Sequence, residues 1–171
     1  MPTVVYAIGH STRAIDDFIE ILQAHSISML VDIRTIPRSR HNPQFNQETL
    51  KGRLESKRIT YVHLKELGGL RKPKKDSGNT AWQNASFRGF ADYMQTRESV
   101  SAVRKLMQLA KQGRVVIMCA EGNRFRCHRS LIADALTVRK VRVLHLAGKA
   151  SVREHVLTKF ARVSGTKITY P

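Results

Sequence analysis

Five short apolar runs, separated by stretches of helical periodicity, constrain this chain more than anything else in it. Residues 4–8, 29–33, 60–64, 115–118 and 142–146 are each four or five residues long and rich in Val, Ile and Leu. They are too short for helices and barely alternate with polar residues, which is how strands covered on both faces read. Between them apolar residues recur three and four apart. Ile15, Phe18, Ile19 and Leu22 form one such stripe, Leu50 and Leu54 another, and Val103, Leu106 and Met107 a third; Leu131, Ile132, Ala135 and Leu136 form the last. Strands alternating with helices predict an α/β fold: a single domain, residues 1–171, with a mostly parallel sheet and helices on both faces.

Boundary signals refine that outline. Asp16 and Asp17 suit the first turn of one helix, Asn46 the N-cap of the next, and Gly113 a helix stop. Ser151-Val152-Arg153-Glu154 has the capping-box pattern, with Val152, Val156, Leu157 and Phe160 on one side behind it. That predicts a closing helix and makes 142–146 the last strand. Residues 68–85 carry Gly68, Gly69, Lys72, Pro73, Lys74, Lys75, Gly78 and Asn79, and read as a long basic loop able to serve as a lid.

Lys and Arg number 30 against 13 Asp and Glu, a formal charge of +17. Such an excess points to an anionic ligand or nucleic acid as partner through sequence-independent attraction. The few, scattered aromatic residues offer no stacking platform for single strands, and no helix-turn-helix, zinc-finger or RNA-recognition signature is present. Met1-Pro2-Thr3 lacks the basic start of a secretory leader, and no apolar run approaches a membrane span of roughly 20 residues. The expectation is a cytoplasmic protein with reduced thiols and no membrane partner.

The chemistry concentrates in Cys119-Ala120-Glu121-Gly122-Asn123-Arg124-Phe125-Arg126-Cys127-His128-Arg129, which holds the only two cysteines and follows the run 115–118. A strand end beside a helix start can hold a reactive thiol next to an anion. Cys127, at the N-cap of a helix starting near 128, has its thiolate favoured by the helix dipole and by Arg126, His128 and Arg129. Cys119, at the strand end, is the other nucleophile candidate, with Glu121 or His128 as acid or base. A tyrosine-phosphatase loop needs Arg six residues after the cysteine, and Phe125 stands there. His10, Cys119, Cys127 and His128 make a poor zinc set without a C-x-x-C pair, so neither metal nor cofactor is expected. A Cys119–Cys127 disulfide switch is a further option that spacing permits.

Two more strand ends carry polar residues that a parallel sheet brings to the same edge: His10 and Ser11, then Asp32, Arg34, Pro37, Arg38, Ser39 and Arg40. Arg34 and Arg129 are candidate grips for the anion, with His10, Ser11, Asp32 and Ser39 around it; Asp32 and Arg34 read equally as an ion pair tying loops together. Ile8-Gly9-His10-Ser11, Asp32-Ile33-Arg34 with Pro37 and Ser39, Tyr61 before Leu67-Gly68-Gly69, and Cys119-Ala120-Glu121 before Cys127-His128-Arg129 resemble domain-of-unknown-function family 488. The resemblance runs from about Tyr6 to His145 and implies an α/β fold and a bacterial or archaeal source, without a reaction. Gly122-Asn123-Arg124 departs from the acidic or proline-containing loop common in that family.

Cys119-Ala120-Glu121-Gly122-Asn123-Arg124 also has the C-x-x-G-x-R form of rhodanese-like loops, and Asp32-Ile33-Arg34 resembles their Asp-Val-Arg strand end. The functional expectation is a cysteine-dependent enzyme for an anionic nucleotide, nucleic-acid or phosphorylated substrate. The alternatives are a non-catalytic nucleic-acid-binding module and rhodanese-like sulfur transfer at Cys119.

Overall fold

The computed structural model describes residues 2–171. Strands β1 (Val4–Gly9), β2 (Met29–Asp32), β3 (Thr60–His63), β4 (Val115–Cys119) and β5 (Arg142–Leu146) run parallel, and β6 (Val152–Glu154) adds an antiparallel edge, in the order β3-β2-β4-β1-β5-β6. Helices α1 (Ile15–Ala24), α2 (Gln47–Ser56), α3 (Ala85–Tyr93), α4 (Arg97–Gln112) and α5 (Arg129–Thr137) cover both faces. The α/β domain with a mostly parallel sheet is thus the architecture found.

β4 is the centre of the sheet, and all five of its residues are buried. Val115, Ile117 and Cys119 pack with the α3–α5 layer, whereas Val116 and Met118 pack with α1 and α2. This period-2 division is why the run carries no polar position. α1 and α2 return the chain toward β3, and α5 returns it toward β5. Right-handed crossovers in opposite directions put those helices on opposite faces. Asn84 caps α3 through Ser86 N and Phe87 N, and Thr96 caps α4 through Ser99 N. Asn46 occupies the N-cap of α2 without a capping bond; its Oδ1 instead accepts from Ser39 N at 2.8 Å. α5 begins one residue later than the cysteine argument requires, so its N-cap is His128 and Cys127 precedes it.

The closing helix expected after Ser151 is absent. Residues 152–154 form β6, and 142–146 is not the last strand, because β7 (Arg162–Ser164) and β8 (Lys167–Thr169) follow as a hairpin. The open edge of β5 supplies the reason: its unpaired backbone groups outcompete a marginal helix nucleus for the segment that returns beside it. The capping-box glutamate is drawn across the strands instead, where Glu154 accepts from Arg142 at 2.8 and 3.4 Å. Val156 is 79 % exposed, and of the presumed apolar stripe Phe160 instead packs edge-on against Trp82 and Tyr170.

Residues 68–84 contain neither helix nor strand, and side-chain bonds tie the segment down. Asp92 accepts from Lys74 N, Ser77 Oγ and Asn79 Nδ2 at 2.7–2.9 Å, and Asn79 Oδ1 accepts from Tyr170 N. Tyr170 then closes the fold: its hydroxyl donates to Asp134 Oδ2 at 2.7 Å while Asp134 Oδ1 accepts from His155 and from Thr158 N. Asp134 lies fully buried on α5. Tyr170→Phe takes the hydroxyl from a buried carboxylate oxygen, which costs about 1–3 kcal/mol and lowers Tm by roughly 2–12 °C in a chain of this size. Thermal unfolding of Tyr170→Phe against wild type measures it, and an unchanged Tm would show that the C-terminal segment is not held through Asp134.

Candidate functional site

β2, β4 and β1 lie side by side, so the polar segments that follow them emerge together at one edge of the sheet. The chain leaves β1 for α1 on one face and β4 for α5 on the other, which makes the β1–β4 crevice the switch point where α/β proteins bind ligands. Backbone bonds continue the pairing past the strand ends: His10 N donates to Cys119 O, Ser11 N to Ala120 O and Ile33 N to Met118 O, at 2.9–3.0 Å.

Arg129, on the first turn of α5 and 2 % exposed, organises the loop. Its Nη1 donates to Cys119 Sγ at 2.9 Å and to Glu121 O at 2.5 Å, and its Nη2 to Gly122 O at 3.0 Å. Among the described residues it has no carboxylate partner. Gly9 makes the approach possible, since a Cβ there would overlap the Glu121 carbonyl and lie 2.5 Å from Arg129 Nη1.

The two sulfurs differ as a result. Burial pushes the Cys119 thiol up, but the Cys127 thiol beside it and the charge and N–H of Arg129 outweigh burial and hold it at about 7. Cys127 moves the other way, well above the ordinary thiol range, because it shares its proton with Cys119, is buried, and faces the charge on that sulfur. When the pair loses one proton, the charge therefore falls on Cys119 and the remaining proton stays on Cys127. His128 Nε2 donates to Leu67 O at 2.9 Å, which leaves Nδ1 as an acceptor 3.6 Å from Cys127 Sγ. Burial keeps His128 neutral, with its pKa lowered to about 4. Both cysteines are free thiols.

A cavity of about 300 Å³ opens onto these groups. Cys119, Cys127, His128, Glu121, Arg34, Arg38 and Arg126 line it, with Ile36, Leu70, Ser86 and Phe87. Six of the residues that the sequence singles out thus meet at one place or directly behind it: Cys119, Cys127, His128, Glu121 and Arg34 on the wall, Arg129 behind the sulfur. A groove of equal volume between α3, α4, α5 and β8 carries no thiol or histidine.

The other predicted residues are structural neighbours of this cavity. Asp32, fully buried, accepts from Arg34 N, Nε and Nη2 at 2.8–3.1 Å and from the Tyr61 hydroxyl at 2.5 Å. It is therefore the ion pair that ties β2 to β3 and, through Arg34 Nη2 on Phe45 O, to the loop beyond. Arg34 Nη1 remains without a partner. His10 stacks on Phe45 at 4.3 Å and donates from Nδ1 to Ser11 O; burial lowers its pKa to about 4, and its Nε2 is unpartnered. Ser11 abuts Gly122, and Ser39 closes a turn by accepting from Asn42 N. Sequence reasoning gave no site role to Gly9, which admits the Arg129 guanidinium, or to Leu70 on the cavity wall. Only Gly9, a glycine at the end of a buried strand, carried a signal. No cluster of three metal-ligating side chains occurs among the described residues, and no helix there is long and apolar enough to cross a membrane.

No curated protein and no solved structure matches the chain. A family model does, over residues 14–136, which takes in the Asp32, Tyr61 and cysteine-loop motifs and begins just after Ile8-Gly9-His10-Ser11. With well over half of its length matched, the chain belongs to the family described as domain of unknown function DUF488.

Proposed function

We propose that the protein is a cysteine-dependent enzyme in which Cys119 is the nucleophile and Cys127 the proton carrier, acting on an anionic substrate. The observation that carries this reading is the contact of Arg129 Nη1 with Cys119 Sγ at 2.9 Å inside a cavity lined by three further arginines. A buried cation with no carboxylate partner is satisfied best by a thiolate. Cys119 Sγ bonds to an electrophilic atom of the substrate, the bond to the leaving group breaks, and the leaving group takes the proton of Cys127. Negative charge then passes from one sulfur to the other beside Arg129, whose N donates to Cys127 Sγ at 3.4 Å. Water displaces Cys119 in the second step and returns its proton to Cys127, which restores the pair. A sulfane sulfur as the electrophilic atom would make the same first step a sulfur transfer and leave a persulfide on Cys119.

Arg34, Arg38 and Arg126 are placed to receive the charged part of the substrate, and the free Nη1 of Arg34 is a buried donor with nothing to bond. Ile36 and Leu70, 59 % and 73 % exposed on the cavity wall, suit an apolar portion. Leu70 sits there at φ 60°, a costly backbone conformation for leucine and one that clusters at ligand sites. A cytoplasmic location, where thiols stay reduced, fits two free cysteines. The net charge of +17 also supports the rival reading, a nucleic-acid-binding module, which requires salt-sensitive binding that survives loss of both thiols.

Alkylation rates at each cysteine, followed by mass spectrometry of the native protein, test the reading without a known substrate. Cys119 is expected to react with a half-maximum near pH 7 and Cys127 to stay slow. Cys127→Ala and Arg129→Met each remove a group that favours the thiolate, so each raises the apparent pKa of Cys119 toward the free value of about 8.5. An ordinary titration of Cys119 in wild type would end the nucleophile reading. The cavity arginines make a separate prediction: iodoacetate should alkylate Cys119 about tenfold faster than iodoacetamide, and Arg38→Ala with Arg126→Ala should abolish that preference. Faster reaction with the neutral reagent would show that the cavity does not select anions.

A further inference from the structure

Arg124, Phe125 and Arg126 form a single 3₁₀ turn in the exposed part of the cysteine loop, so their side chains leave it in three directions. Arg126 lines the thiol cavity. Arg124 lines a second cavity, of about 280 Å³, together with Arg153, Arg129 and Phe125. The two cavities have no lining residue in common, and the turn is the ridge between them. Phe125 stands on that ridge 69 % exposed, with the Arg124 guanidinium over its ring at 4.6 Å. Phe160, the other exposed phenylalanine, packs edge-on against Trp82 and Tyr170, whereas Phe125 has no aromatic neighbour.

The turn is held rather than loose. Asn123 Oδ1 accepts from Phe125 N at 2.9 Å, Asn123 O accepts from Arg126 N at 3.0 Å, and Glu121 Oε1 accepts from Asn123 N at 3.0 Å. Glu121 is the only carboxylate lining either cavity, and the backbone of the turn engages it. Arg38, Arg124, Arg126 and Arg153 make no ion pair among the described residues. Burial, then the charges of Arg153 and Arg129, depress the basicity of Arg124, so an anion placed among these cations relieves their mutual repulsion. On the thiol side Ile36 and Leu70 add exposed apolar surface to the cavity wall.

The matching ligand carries negative charge on both sides of the ridge and a flat apolar group between. A nucleic acid strand has that order, with phosphates for the arginines and a base to stack on the phenyl ring. A duplex keeps its base faces in its own stack, and an acidic peptide lacks planar groups between its charges. One aromatic ring on a fixed turn serves one base, so the scarcity of aromatic residues excludes only an extended platform. Resting on the reading of Cys119 as a nucleophile for an anionic substrate, we infer that this substrate is a single-stranded nucleic acid, which crosses the ridge with a base on Phe125 and phosphates in both cavities.

Fluorescence anisotropy of a labelled single-stranded RNA dodecamer, titrated with the full chain over a range of salt, tests this. The strand is expected to bind about tenfold more tightly than its duplex or polyglutamate of equal charge, a difference that one stacked base supplies. Phe125→Ala should weaken the strand about tenfold and remove its advantage over the duplex. Arg38→Ala and Arg153→Ala, one on each side of the ridge, should each reduce the slope of log affinity against log salt by about 0.7, the loss of one phosphate contact. Lys57→Ala removes the same charge between α2 and β3, at the opposite edge of the sheet, and should leave the slope unchanged. Equal binding of duplex or polyglutamate, affinity indifferent to Phe125→Ala, or a slope that Arg38→Ala and Lys57→Ala change alike overturns the inference and reduces the charge of +17 to a general attraction. Strand binding is read without the thiol and the ionisation of Cys119 without a strand, so failure of one is distinguishable from failure of the other.

Discussion

The guanidinium of Arg129 is the constraint on which the rest of this site depends. A cation removed from water and given no carboxylate must be compensated by dipoles or by an induced anion. Two carbonyls, Glu121 O and Gly122 O, supply the dipoles, and Cys119 Sγ supplies the anion. That single group therefore ties the loop after β4 back on itself and, together with the Cys127 thiol, favours the charge on Cys119. Gly9 belongs to the same device from the neighbouring strand, since any side chain there would occupy the space that the guanidinium and the Glu121 carbonyl fill.

Arg34 shows the contrast. It too is buried on a loop after a strand, yet Asp32 grips it through Nε and Nη2, and the Tyr61 hydroxyl completes the carboxylate's partners. Breaking such a pair leaves an uncompensated charge, so Nε and Nη2 act as structure and only Nη1 is left without a partner. Arg129 has no such partner, and its field is free to act on chemistry. Two buried arginines thus differ because one has a carboxylate two residues away and the other has a thiol ten residues away.

This difference marks the limit of what the sequence made legible. The apolar run 115–118 had to be a doubly covered strand because it offers no polar face, and the alternation of such runs with helical stripes permits few folds other than a parallel sheet. Convergence of residues 10–11, 32–40 and 119–129 follows from strand direction alone. The choice between Cys119 and Cys127 does not. A helix N-terminus favours a thiolate at Cys127, and Arg129 N does reach that sulfur. Ionising both neighbouring sulfurs is prohibitive, however, and the side chain of Arg129 lies against the other one. No spacing in the chain reveals that. Residues 152–154 were misread for a related reason: the capping-box pattern is local, whereas the vacant edge of β5 is a tertiary fact. The Asp134, His155, His145 and Tyr170 network left no trace at all, because its members come from a helix, two loops and a strand with no fixed interval between them.

The position of that network adds a last consequence. Arg129 is shared by both sides of the cysteine loop: Nη1 donates to Cys119 Sγ, and the residue also lines a second cavity, of about 280 Å³, with Arg124, Arg153 and His145. An anion in the second cavity would compete with Cys119 for the same positive charge, and by linkage the thiolate would weaken that anion's binding in equal measure. The energy available is bounded by what Arg129 contributes to lowering the thiol, a share of a shift from about 9 to about 7. Coupling of that size lies within the ordinary range for allosteric sites, of about 1–3 kcal/mol, and needs no movement of the backbone. The loop between β4 and α5 is thus better described as a partition, with one buried cation in its centre and a cavity on each side.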